Sequence, residues 1–218
     1  MPTTSQAAAP TDRRRAPATR EAILRATLTL LADEGAGALS NRRIAAEAEV
    51  SLGSLTYHFP SQATLLRESL FLYVGEEVAR LEAIAARFRA RRPHPSTEEV
   101  AAEVQRIAAS ADRPEQVAEL ELHLRASRDP ALQDASRRCF AAYEGVAAAA
   151  LEALKVPDPE RHARTVVATI TGLGMQWKSS GTEEAVGLAD ALLAIVVGAK
   201  ASARQSQRDH KSDARGDG

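Results

Sequence analysis

The sequence predicts an all-α protein: an N-terminal three-helix head with a helix-turn-helix, followed by a larger helical domain. Three observations lead there. Apolar residues recur at three- and four-residue spacing along most of the chain, and no alternating run is long enough for a strand. Alanine is abundant while aromatics make up only 4% of residues, a composition that favours helix over sheet. Between the periodic stretches, Ser, Thr, Asp, Gly and Pro stand where helices begin and end.

Residues 1–18, rich in Ala, Pro, Thr and Arg without periodicity, read as a disordered arm. Its Arg13, Arg14 and Arg15 suit a reach towards a nucleic-acid backbone and a solvated tail equally well. Thr19 can cap a first helix with Ile23, Leu24, Thr27, Leu28 and Leu31 on one side, ended by Gly35 and Gly37. Ser40 caps a short helix from Asn41 towards Ala48, and Ser51 caps another over Leu52 to Tyr57. Pro60 breaks the chain. Ser61 then opens a long helix striped by Leu66, Leu70, Val74, Leu81, Ala85 and Phe88, which Pro93 and Pro95 stop.

Ser96 with Glu99 reads as a capping box for a helix carrying Val100, Val104 and Ile107. Asp112 and Pro114 begin the next, with Val117, Leu120 and Leu124 as its apolar side. Asp129-Pro130 starts a long helix with Leu132, Cys139, Phe140, Tyr143, Val146, Leu151 and Leu154. Asp158-Pro159 puts an N-cap acid before a proline at the first helical position. The helix behind it carries Val166, Ile170, Leu173 and Trp177 on one face and stops at Gly181. Thr182 opens a last helix with Val186, Ala189, Leu193, Val196 and Val197, and 205–218 reads as a disordered tail. The expected organisation is an arm at 1–18, a helix-turn-helix domain at 19–60, a helical domain at 61–204 and the tail.

Composition removes several function classes. Formal net charge is -1, so the chain is no general polycation, and residues 1–70 hold eight arginines against seven acids. Any nucleic-acid contact must come from a local surface. A single cysteine, Cys139, excludes an intrachain disulfide; its apolar helical neighbours suit a buried structural thiol better than a redox sensor. No apolar run reaches the ~20 residues of a membrane span, and Met1 to Pro10 lacks a secretory leader's hydrophobic segment. A cytoplasmic protein with no membrane partner is expected. His94, His123, His162 and His210 lack metal-ligand spacing, so no metal or cofactor is expected. Gly172 and Gly174 sit inside an apolar helix, where they suit close helix packing, not a phosphate loop. No nucleophile is paired with a base, so an enzyme with a helical substrate pocket stands only as the competing class.

The informative segment is Leu39 to Leu66. Ile44, Ala45 and Ala48 of one short helix can pack on Val50 and Leu55 of the next, the pattern of a helix-turn-helix. Such a motif projects the second helix into the DNA major groove. Leu55 and Phe59, four apart, should face the core. Leu52, Gly53, Ser54, Thr56, Tyr57 and His58 are then left for DNA, with Gly53 allowing close backbone approach. Asn41 and Arg42 lead the preceding helix, and Arg42 can read a guanine edge or anchor a phosphate.

These residues carry a resemblance. The helix Thr19–Glu34, then Ile44-Ala45, Val50-Ser51, Gly53-Ser54-Leu55, Tyr57-His58-Phe59 and Leu65-Leu66 resemble the DNA-binding region of the TetR family of bacterial regulators. The resemblance implies a homodimer that binds a double-stranded DNA operator, with a ligand-binding and dimerisation domain behind the head. It implies a repressor released by a small molecule; an activator of the same fold is the alternative. Three positions depart from the pattern. Glu49 replaces the usual turn glycine, where positive φ is often needed; Thr56 replaces a common phosphate-contacting aromatic; Gln62 replaces a frequent phosphate-contacting lysine. The free N–H groups after Ser61 can still attract a phosphate at Gln62.

Behind the head, Phe88, Leu120, His123, Leu124, Phe140, Tyr143, Met175, Gln176 and Trp177 are the candidate lining of a pocket for a mostly apolar small molecule. The helices 159–180 and 183–203, with Gly172, Gly174, Ala189 and Ala194, are expected to pair with their two-fold copies.

Overall fold

The computed structural model describes residues 10–91, 96, 99–100, 102, 115–181 and 185–216, with backbone alone for 10–15, 115–116, 178, 185–187, 189 and 206–216. Among these residues every regular element is a helix. The described chain forms two compact units. One runs to Gly75 and takes in the segment ending at Ser136; the other takes the chain from Glu76 and again from Arg137.

In the first unit, α1 spans Pro10–Glu34, α2 Asn41–Glu47 and α3 Leu52–His58, with a single 3-10 turn, Ala36–Ala38, between α1 and α2. α4 (Gln62–Ala90), α5 (Glu115–Ala126) and α6 (Pro130–Ala153) follow, and α4 and α6 each supply residues to both units. Ile23, Leu31, Ile44, Leu55, Phe59, Leu65 and Leu70 are fully buried here. Removing such side chains from water is the main force holding the unit together. The Thr27 hydroxyl is buried too, and donates to the Ile23 carbonyl at 2.8 Å, which satisfies it within α1.

The caps follow the chemistry of the sequence. The Ser40 hydroxyl accepts from the Arg43 N–H, the Ser51 hydroxyl from Ser54, and the Ser61 hydroxyl from Thr64. Ser96 and Glu99 make the reciprocal pair of a capping box, at 2.8 and 3.2 Å. Val104, Ile107, Asp112, Pro114 and Thr182 lie outside the described residues.

Four expectations differ from the structure. α1 starts at Pro10, not at Thr19. Proline suits a first helical position, and the Arg and Ala after it are good helix formers, so the arm's second half continues the helix. α5 buries Ala118, Leu122 and Ala126, while Leu124 is 63% exposed and Leu120 half-buried. Both stripes have helical spacing, and packing against α1 selects the one with small residues. Asp158 makes no side-chain cap bond; its backbone is left-handed at φ 49°. Pro159 disfavours right-handed backbone in the residue before it, and the carboxylate is carried away from the helix start. The last helix continues to Gly216, past residue 204.

In the second unit, α7 (Pro159–Ser180) packs on α8 (Ala185–Gly216). Ala147, Leu151, Val156, Ala163, Val166, Val167 and Ala199 form one buried cluster. Leu81, Ile84, Phe88, Val100, Val146 and Ala149 belong to another. Gly181, at φ 68°, ends α7 with its N–H on the Trp177 carbonyl.

Candidate nucleic-acid interface

The turn between α2 and α3 is closed by the backbone. The Val50 N–H donates to the Ala45 carbonyl at 2.9 Å and the Glu49 N–H to Ala46 at 3.1 Å, with Glu49 left-handed at φ 54°. This is the Schellman arrangement, in which glycine normally takes the left-handed place. For a residue with a Cβ that place costs about 1–2 kcal/mol. The expectation of positive φ at Glu49 is met, and the turn keeps its shape despite the side chain.

α3 divides cleanly. Leu55 and Phe59 are each 1% exposed and anchor it, as expected, against the unit's core. Leu52 is 50% and Tyr57 84% exposed, and Gly53 and Thr56 are exposed beside them. Ser54 and His58 are half-buried; the His58 ring meets Tyr57 edge-on, centroids 5.3 Å apart. The Thr56 hydroxyl donates back to the Leu52 and Gly53 carbonyls, both at 3.1 Å, leaving its lone pairs for an outside donor. Nothing in the fold requires glycine at 53: an added Cβ would meet only the Ser51 hydroxyl, at 3.9 Å.

Two arginines lead α2, and they differ. Arg43 forms a two-pronged pair with Glu34 at the end of α1. That hydrogen bond is the main reason the Glu34 carboxyl is held below its ordinary value and the Arg43 guanidinium above its own. Arg42 is exposed and has no such partner among the described residues. Asn41 beside it is half-buried. The Gln62 amide donates to the Leu39 carbonyl at 2.6 Å, tying the start of α4 to the segment before α2. Arg20 of α1 lies 5.2 Å from the Phe59 ring centre and pairs with Glu68 of α4. Sequence reasoning missed these three fastenings, because each joins residues far apart in the chain. Only the opposite charges of Glu34 and Arg43, and of Arg20 and Glu68, offered a cue.

The candidate pocket residues behind the head divide between the two units. Leu120, His123 and Leu124 belong to the first unit, and Phe88, Phe140, Tyr143, Met175, Gln176 and Trp177 to the second. Met175 is 62% exposed and Gln176 is also exposed, so neither lines an interior in the single chain; Trp177 is half-buried. The His123 ring bonds Ser136 at 2.8 Å. Phe88 is buried, and half-buried Tyr143 packs against the same cluster. The Tyr143 hydroxyl donates to buried Glu77 at 2.8 Å, and Arg80 holds the same carboxylate. Glu77 is a polar group inside an apolar cluster that helical periodicity alone did not single out.

Among the described residues, no helix is long and apolar enough to cross a membrane. Residues 23–69 match the family model described as bacterial regulatory proteins, tetR family. Residues 95–202 match the model described as tetracyclin repressor-like, C-terminal domain. Comparison with curated proteins gives no match. Solved structures give many. A candidate transcriptional regulator of Streptomyces coelicolor A3(2) is 29% identical, with a TM-score of 0.58 over 83% of this chain and 99% of that one. The multidrug binding protein EbrR, solved with imidazole, is 28% identical, with a TM-score of 0.59 over 81% and 94%. A TetR family member from Streptomyces coelicolor A3 is 27% identical, with a TM-score of 0.59 over 82% and 98%.

Proposed function

The chain belongs to the TetR family of bacterial regulatory proteins, and from that premise we propose that it is a homodimeric repressor released from a palindromic operator by a small molecule. Membership makes it a DNA-binding transcriptional regulator, in a family of regulators rather than enzymes. The observation that carries the reading is the division of α3: an anchored side, Leu55 and Phe59, and an open side, Leu52, Gly53, Thr56 and Tyr57. A glycine that the fold does not need, on the open side, supports close approach of a partner's backbone. Among the described residues at this surface, Arg42 is a cation free to reach a base edge, and Ser54, Tyr57 and His58 supply shorter polar contacts. Gln62 and Asn41 border the same surface, Gln62 with its remaining amide hydrogen and acceptor oxygen.

Dimerisation fits the outer faces of α7 and α8, where Met175, Leu193 and Val197 are 62%, 53% and 57% exposed. Gly172, Gly174 and Gly198 there have open space where a side chain would be. Sedimentation at micromolar concentration should give twice the monomer mass. The effector is a mostly apolar small molecule bound within 61–180; EbrR has been solved with imidazole and with ethidium. A coupling of ~1–3 kcal/mol would lower operator affinity about 5–150-fold, and operator would weaken effector binding equally. The setting is cytoplasmic.

The test is a gel shift on the DNA upstream of the protein's own coding sequence, searched for a palindrome. A specific complex, weakening steeply with salt as counterions are released, is expected. Equal affinity for that DNA and for unrelated duplex would sink the proposal.

A further inference from the structure

The first unit holds a cleft of about 300 Å3 between the start of α4, the second half of α5 and the turn into α6. Its floor is apolar: Leu66 and Leu132 are buried there, and Leu124 stands 63% exposed at its edge. Its polar lining is three guanidiniums, Arg67, Arg125 and Arg128, against two carboxylates, Glu121 and Asp129.

Those charges are not equally engaged. Arg125 pairs with Glu121 one turn back on α5. Arg67 spans the cleft to Asp129, through Nε at 3.1 Å and Nη2 at 3.0 Å. The other Asp129 oxygen accepts the Ala131 N–H at 3.0 Å and so fixes the start of α6. Arg128 is exposed and has no side-chain partner among the described residues. The lining therefore carries one uncompensated positive charge above a hydrocarbon floor. A lone exposed leucine and a lone arginine, facing one cleft, match the two ends of an amphipathic anion.

We propose that this cleft binds a small amphipathic carboxylate, its headgroup on Arg128 and Arg67 and its hydrocarbon on Leu66, Leu124 and Leu132. Planar guanidinium against carboxylate gives paired, charge-assisted hydrogen bonds, which an alcohol cannot replace. The space suits about ten non-hydrogen atoms at ~30 Å3 each. Asp129 is the built-in competitor: an entering carboxylate shares or takes Arg67 from it. That exchange loosens α4 from the α5–α6 turn within the unit that carries α3. The site deepens the proposed response to a small molecule, and rests on it only for the effect on DNA.

Binding is measured without DNA, so the two readings can fail separately. The probe is octanoate, titrated calorimetrically into the full chain, with octanol and octylamine as controls. Saturable one-to-one binding of octanoate is expected, about tenfold or more tighter than either control. Arg128→Ala, at an exposed unpaired position, should weaken octanoate about tenfold with an unchanged melting temperature. Asp129→Asn keeps an oxygen for the Ala131 N–H and removes the competing charge, so it should tighten binding severalfold. The proposal is overturned by no saturable binding, by octanol binding as well as octanoate, or by an Arg128→Ala protein that binds octanoate like the parent. Weaker binding in Asp129→Asn would also overturn it, because Arg67 would then not be the shared partner.

Discussion

α2 and α6 end with the same backbone device, and only one of the two endings leads to an exposed surface. At the first, Glu49 is left-handed at φ 54°, with Val50 bonded back to Ala45. At the second, Lys155 is left-handed at φ 55°, with Val156 bonded back to Leu151. Neither has the glycine that would make the turn free of steric cost, so each costs about 1–2 kcal/mol. The two valines behind the turns have different surroundings. Val156 is 4% exposed and joins the cluster that holds α7, whereas Val50 is half-buried and leads into the open face of α3. One backbone geometry thus serves packing in one place and presentation in the other. The hydrogen-bond pattern cannot tell which; the burial of the next residues can.

The comparison breaks or holds at these residues. Val156→Asp should have the largest effect, lowering stability by about 3 kcal/mol or more by burying an unpaired charge. Val50→Asp should cost clearly less, since its side chain keeps contact with water; urea unfolding of the two variants checks this, and equal losses would erase the distinction. Next is Arg42→Ala, expected to weaken operator binding by ~1–3 kcal/mol and relax one base pair per half-site. Its stability should be unchanged, because Arg42 has no side-chain partner among the described residues to lose. Uniform weakening across all sequences in a binding-site selection would make it a phosphate anchor instead.

Glu49→Gly and Lys155→Gly should each raise stability by up to ~1 kcal/mol, relieved strain being partly offset by a more flexible unfolded chain. Only Glu49→Gly should also change operator affinity; a matching change from Lys155→Gly would show that the two turns are coupled. The smallest effect belongs to Glu34 and Arg43. The pair lowers the folded-state pKa of Glu34 from its ordinary 4.5, so its stabilisation is present above that value and fades as pH falls through the lower folded value. Arg43 stays charged throughout, because the same hydrogen bond raises its own value further. Glu34→Gln should therefore melt slightly below the parent at pH 7 and together with it at pH 3.

What the sequence told depends on the range of the interaction concerned. Ser40, Ser51, Ser61 and the Ser96–Glu99 pair were readable because a cap bonds within three residues of itself. The strain at Glu49 was readable only through the resemblance, whose pattern usually has glycine at that place in the turn. The buried face of α5 was not: two apolar stripes satisfied the same period, and the α1 surface chose between them. Arg43–Glu34, Gln62–Leu39 and Arg67–Asp129 join residues 9, 23 and 62 apart, and no local pattern marks one acid or carbonyl over its neighbours. Asp158 misled because an acid before proline fits two backbone states, and only one of them caps.

α3 is seven residues long, and a free peptide of that length has no helix to speak of, since nucleation is never recovered in so few turns. Its helical form exists because Leu55 and Phe59 are seated in the core and Ser51 closes its first turn. Those holding residues and the outward ones are different residues. Leu52, Ser54 and Tyr57 can therefore be exchanged in libraries, or by mutation in a lineage, without asking the core to change. On the proposed function, a shift in which DNA sequence the head prefers becomes a short walk of single substitutions through folded proteins. The same segment cut out and used as a peptide reader would lose its shape along with its scaffold.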